Sequence, residues 1–150
     1  MLAQMLAPAA ALVLWTLIML YWTAGTRFPA LGKVDDKSKI GKPGVRGQDL
    51  DGVLPDTVMW KSHNHTHLHE QPTIFYPTVV ILALMGPAAL DVTLAWVYVG
   101  LRIIHSLWQA LYNKVRVRIL IFTTYSIVLT VLAVRAVMAT VFADPSMAPQ

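Results

Sequence analysis

Arg102, His105 and Gln109 fall at offsets 0, +3 and +7 inside LDVTLAWVYVGLRIIHSLWQALY, a segment from Leu90 to Tyr112 otherwise apolar enough to cross a membrane. Arg116 follows at +14. On one continuous helix that spacing sets all four on one side. A charged side chain at mid-membrane costs roughly 3 kcal/mol even on the lenient insertion scale. Keeping it there requires a buried partner, a water-filled pocket or a ligand. A guanidinium suits a carboxylate, because its planar fork makes two parallel charge-assisted hydrogen bonds.

A second constellation reads His63-Asn64-His65-Thr66-His67-Leu68-His69-Glu70-Gln71. On a helix His63, His67, Glu70 and Ile74 share a face, and His65 and His69 form an i, i+4 pair on another. Such a pair can chelate a divalent metal. No HExxH arrangement is present, however, and alternating histidines cannot all converge from one helix, so no metal site is expected. The plainer reading is imidazoles at the membrane interface, in a polar pocket or facing water. Glu70 is the only glutamate in the chain. Two readings fit it: an ion pair with Arg102 or Arg116, or the acid that meets a ligand's ammonium while the arginines take its carboxylates. Arg135, in the last apolar segment, is expected to pair with Asp91.

The elements that position these residues must be membrane helices. Of 150 residues, 56% are hydrophobic and only 13% charged, about half the charged fraction of a soluble domain. Spans are expected at about 2–24, 70–87, 91–112 and 117–142, leaving no room for a separate soluble domain. The chain therefore reads as one all-α transmembrane domain over 1–150. Gly25, Pro29 and Gly32 are expected to mark the end of the first span, which reads as retained rather than as a cleaved signal. Residues 25–55 form a polar, glycine-rich connection, either a solvated loop or a lid over a site at the membrane surface. Asp56 is expected to N-cap a single long helix running on through Pro72 and Pro77 to Gly86-Pro87. Ala143–Gln150 reads as a short frayed tail. The connection up to Lys61 carries seven Lys and Arg, and Lys114, Arg116 and Arg118 follow the third span. By the positive-inside rule both basic loops are cytoplasmic and both termini lie outside. The +4 net charge sits in those loops, so nucleic acid is not an expected partner. With no cysteine, disulfides and a cysteine nucleophile are excluded.

The run His67-Leu68-His69-Glu70-Gln71-Pro72-Thr73-Ile74-Phe75-Tyr76, with Arg102-Ile103-Ile104-His105-Ser106 and Tyr112-Asn113, resembles the MAPEG family of its bacterial kind. These are membrane-associated proteins of eicosanoid and glutathione metabolism. The resemblance implies a four-helix bundle assembling as a homotrimer in the bacterial inner membrane, with both termini periplasmic. It implies glutathione as cosubstrate, bound between protomers near the cytoplasmic side, and a lipophilic small molecule entering from the bilayer. Arg116 then matches the arginine that holds the thiolate, with Arg118 a substitute if the register slips by two. Glu70 and Arg102 match two glutathione-binding positions. His63, His67, His105 and Gln109 stand where the family pattern has Arg, Asn, Tyr and Tyr. The implied activity is a glutathione-dependent transferase or peroxidase. The alternative is a non-catalytic accessory or scaffold subunit of a larger membrane complex, which the four replacements motivate.

Overall fold

Long apolar runs become long helices here. The structure is a computed structural model and describes residues 1–143. The expected frayed tail lies outside them from residue 144 on. Helix α1 spans Leu2–Gly32, α2 Asp56–His67, α3 Pro72–Leu84, α4 Ala89–Leu111 and α5 Val115–Val141. Two 3-10 turns, Lys37–Lys39 and Gly47–Leu50, lie between α1 and α2. Among the described residues α1, α4 and α5 are long and apolar enough to cross a membrane. Their outer faces bear exposed aliphatic side chains such as Leu14, Ile127 and Val141, as a lipid-facing surface requires.

Helix α1 continues through Gly25 and Pro29 and stops at Gly32, beyond the end expected for the first span. The single helix expected from Asp56 onward is interrupted, which corrects the sequence reading. Pro72 has no N–H to give Leu68, and its ring crowds that carbonyl. The backbone tightens instead: His69 N donates to Thr66 O at 2.9 Å and Ile74 N to Gln71 O at 2.9 Å, both i to i−3. Pro72 then opens α3 from a first-turn position, where its missing donor costs nothing. Pro55, not Asp56, occupies the cap of α2, and Asp56 is its first helical residue. At 1.5 Å per residue α3 is only about 20 Å long, against about 30 Å of hydrocarbon. Gly86 ends it with φ 83°, the left-handed conformation glycine adopts cheaply, and Pro87 prevents continuation.

Helix α4 is the central element, touching α1, α2 and α5, while α3 packs on α1 and α5. Its buried residues, among them Ala95, Tyr98, Val99, Arg102, His105, Ser106 and Gln109, repeat at helical spacing. At its far end Asp91 pairs with Arg135 of α5, as expected, and accepts a 2.8 Å bond from the Ala88 N–H. Two hydrophobic cores result. The larger runs through the bundle from Met5 to Ala136. The smaller ties the connection to α1 and α2, with Leu50 and Leu54 packing on Met59 of α2 and with Leu31, Val34, Ile40 and Val45. The 33–55 connection is thus a packed cap rather than an open loop.

Candidate functional site

Where the cap meets the bundle there is a cavity of about 930 Å³. Its walls come from the end of α1, the Gly47 turn, α2, the end of α4 and the start of α5. Glu70, His63, His67 and Gln109, all singled out in the sequence, line it. So do Arg27, Arg46, His65 and Arg118. Arg27, Arg46 and His65 were not singled out as ligand-binding residues. Charge alone could not have chosen them, because seven cations crowd the first connection and the sequence does not say which face inward.

Two of these cations, Arg27 and Arg118, are held by their neighbours. Arg27 donates to the Ser62 hydroxyl and leaves its buried Nε without a partner. Thr23 ties α1 to α2 nearby through a 3.1 Å bond to the Lys61 carbonyl. Gly47 of the cap lies so close to Arg27 that an added Cβ would sit 3.0 Å from its Nη1. Arg118 donates a 2.7 Å bond to Asn113 Oδ1 and also leaves a buried Nε unpartnered. Asn113 has φ 51°, a conformation asparagine tolerates better than most residues, and it forms the corner between α4 and α5. His63 reaches back to the cap, 2.9 Å from Asp51 Oδ1.

The corner at 112–114 corrects the four-residue stripe. Helix α4 ends at Leu111, so Arg116 belongs to α5 rather than continuing the face of Arg102. Arg116 is exposed and does not line the cavity; Arg118, two residues on, does.

Arg102 and His105 are also absent from the cavity wall. They lie behind it, 0% and 1% exposed. Among the described residues neither Arg102 nor Arg116 forms the ion pair with Glu70 that one sequence reading offered. Arg102 donates to the Tyr125 hydroxyl at 2.7 Å, to the His67 carbonyl, and to His105 Nδ1 at 3.3 Å. Its guanidinium also lies 5.1 Å from the centre of the Tyr125 ring. An arginine can only donate, so Nδ1 of His105 accepts and the imidazole proton resides on Nε2. Asn64, fully buried, donates a 2.6 Å bond to Ser106, which also accepts from the Trp15 indole at 3.0 Å. Tyr125 and Asn64 are members of this inner network that spacing along α4 did not reveal.

His67 joins the two shells. Its ring stacks on that of His105, with centroids 5.2 Å apart. Burial first, then the charges of Arg102 and Arg118, hold its pKa down at about 4. It is therefore neutral at pH 7, and its 3.6 Å approach to Glu70 is too long for a hydrogen bond and not an ion pair. His65 is lowered too, by burial and then by His69 and Arg27. His69 uses Nδ1 on the His65 carbonyl at 2.9 Å, and the two rings meet edge to face. That pair is a local contact at the end of α2.

The cavity is thus a cationic chamber lined by one carboxylate, that of Glu70, whose side chain is 60% exposed. The model of the MAPEG family matches residues 5–138. No curated protein and no solved structure matches the chain.

Proposed function

The chain belongs to the MAPEG family, and from that membership we propose that it binds glutathione in the cationic cavity and uses it on a lipophilic substrate, as a membrane transferase or peroxidase. The observation that carries this reading is the charge pattern of the wall. Arg27, Arg46 and Arg118 surround a single acid, Glu70. Glutathione presents two carboxylates, one ammonium and one thiol. Arg27 and Arg46 complement the carboxylates and Glu70 the ammonium. What glutathione supplies is a sulfur nucleophile, stronger as thiolate than as thiol. Arg118, fixed by Asn113, supplies the positive charge that favours the thiolate. Arg116, nominated by the family pattern, is assigned no contact in this reading. Arg102 is a positioning residue that holds the His67 backbone and the His105 ring from behind.

In this reading the protein is a homotrimer of the bacterial inner membrane. The clustering of Lys and Arg in the two connections on the cavity side supports cytoplasmic loops and periplasmic termini.

Glutathione titrated into the detergent-purified protein, followed by heat and by thiolate absorbance, tests the reading. The expected result is a saturable signal in both, lost in Arg118→Ala and kept in Arg116→Ala. The opposite pattern would return the role to Arg116. Absence of heat from folded protein would refute glutathione binding. It would favour the second reading, a non-catalytic accessory subunit of a larger membrane complex. The inward turn of Arg102 and His105, which removes two family ligand positions from the wall, supports that reading. A stoichiometric partner should then co-purify.

A further inference from the structure

A second groove, of about 650 Å³, lies between the last turns of α1, the two ends of the cap and the start of α2. It shares no lining residue with the large cavity. Its charged residues are Lys33 at the end of α1, Lys61 of α2 and one acid, Asp35. Its depth follows from the length of α1, a helix apolar enough to cross a membrane. At 1.5 Å per residue the stretch from Leu2 to Trp22 is about 30 Å long, the thickness of the hydrocarbon. The groove begins at Gly25, about one turn further on, at the depth of the lipid head groups. Trp22 is an aromatic of the kind that settles at this boundary, and Lys61 Nζ lies 5.5 Å from the centre of its ring.

Among the described residues neither lysine forms an ion pair. Lys61 is half-buried and donates to the Thr57 carbonyl of its own helix at 2.7 Å. Burial lowers its pKa from the ordinary value, the mark of an ammonium that has lost water without gaining a carboxylate. Two cations against one acid favour a head of net negative charge. At roughly 30 Å³ per water the groove holds about twenty waters' worth of atoms, room for a phosphate and its glycerol. Gly25, the lining residue nearest Trp22, leaves space there, because an added Cβ would meet nothing within 4 Å.

We propose that this groove binds the phosphate head of an anionic phospholipid from the leaflet on the cap side. Lys33 and Lys61 take the phosphate, and the acyl chains return to the bilayer along α1. Ala30, Val34 and Val58 line the groove and also pack on the small core of the cap, so a bound head braces α1, the cap and α2 against one another. With no wall shared between the two spaces, the lipid site does not depend on glutathione.

The probe is phosphatidylglycerol carrying a diazirine on its glycerol head, photolysed with the full-length protein in phosphatidylcholine nanodiscs. The expected result is saturable labelling within 25–35 and 53–61, competed by unlabelled phosphatidylglycerol. Lys33→Gln and Lys61→Gln should each lower the labelling affinity about fivefold, the effect of removing one cation at an anionic surface. Lys42→Gln takes the same charge from the cap but not from the groove, and should leave the affinity unchanged. Gly25→Phe keeps both lysines and fills the space, so it should weaken labelling even where a lysine variant fails to fold. Equal loss in Lys42→Gln would overturn the site in favour of a diffuse surface potential. Labelling that does not saturate, or that ignores Gly25→Phe and both groove lysines, would overturn it as well. Equal competition by phosphatidylethanolamine would overturn the preference for an anionic head. Equal competition by soluble glycerol phosphate would overturn the lipid as occupant.

Discussion

The charge of Arg102 is solvated by dipoles. A phenol, a backbone carbonyl and an imidazole nitrogen surround it, and the Tyr125 ring face adds a cation–π contact. Its place on the inward face of α4 was legible from spacing, because a lone guanidinium among aliphatic residues has to turn inward. Its partners were not legible, since Tyr125 and the His67 carbonyl arrive from other elements and a carbonyl has no sequence signature. His67 is where this burial becomes measurable. Its pKa falls from the ordinary 6.5 to about 4 on folding. The unfolded chain takes up the proton as pH drops through 6.5, and the folded protein refuses it until about 4. Stability is therefore lost as pH falls across that window and is unaffected above it. Nitrogen NMR of His67 should report a neutral ring between about pH 5 and pH 8. The loss of stability in acid should shrink in His67→Asn. A His67 resonance that titrates near 6.5 would contradict the burial described.

At the scale of elements, the sequence read well where one period dominates and poorly where two signals compete. The apolar runs of α1, α4 and α5 have no rival interpretation. From Asp56 to Gly86, helical periodicity and Pro72 disagree, and proline wins by forcing a 3-10 turn. The placement of Arg118 and not Arg116 on the cavity wall depends likewise on the corner at Asn113, which decides the rotation of α5. The cap supplies a further test of how elements cooperate. Gly47 has an ordinary backbone conformation, so alanine there brings no backbone strain, and its Cβ would press only on the movable tip of Arg27. Gly47→Ala should leave the thermal midpoint within about 0.5 kcal/mol of unchanged stability, the usual range for an exposed site. Ligand heat should nevertheless weaken, because the displaced guanidinium no longer rests on Ser62. Equal losses in both measurements would mean that Gly47 supports the fold rather than the cavity.

For the whole molecule, membrane character and family were legible because they are spread over most of the chain. The cavity was not, since it lies between a cap that carries no periodic pattern and a bundle that does. That division has a kinetic consequence. The cap is held by a small apolar cluster, its Leu50 and Leu54 packed with Met59 of α2 and against the end of α1, separate from the continuous core of the bundle. A small satellite core opens at lower free energy than the large one, so the cap constitutes an independent unit of local unfolding. Backbone amides from about residue 40 to 59 should exchange with solvent long before those of α4, and a bound anion should slow them selectively. Exchange at one common rate in both regions would show a single cooperative unit. If the cap does open alone, passage of a water-soluble ligand into the chamber is timed by the breathing of three side chains, while the membrane-embedded helices stand still.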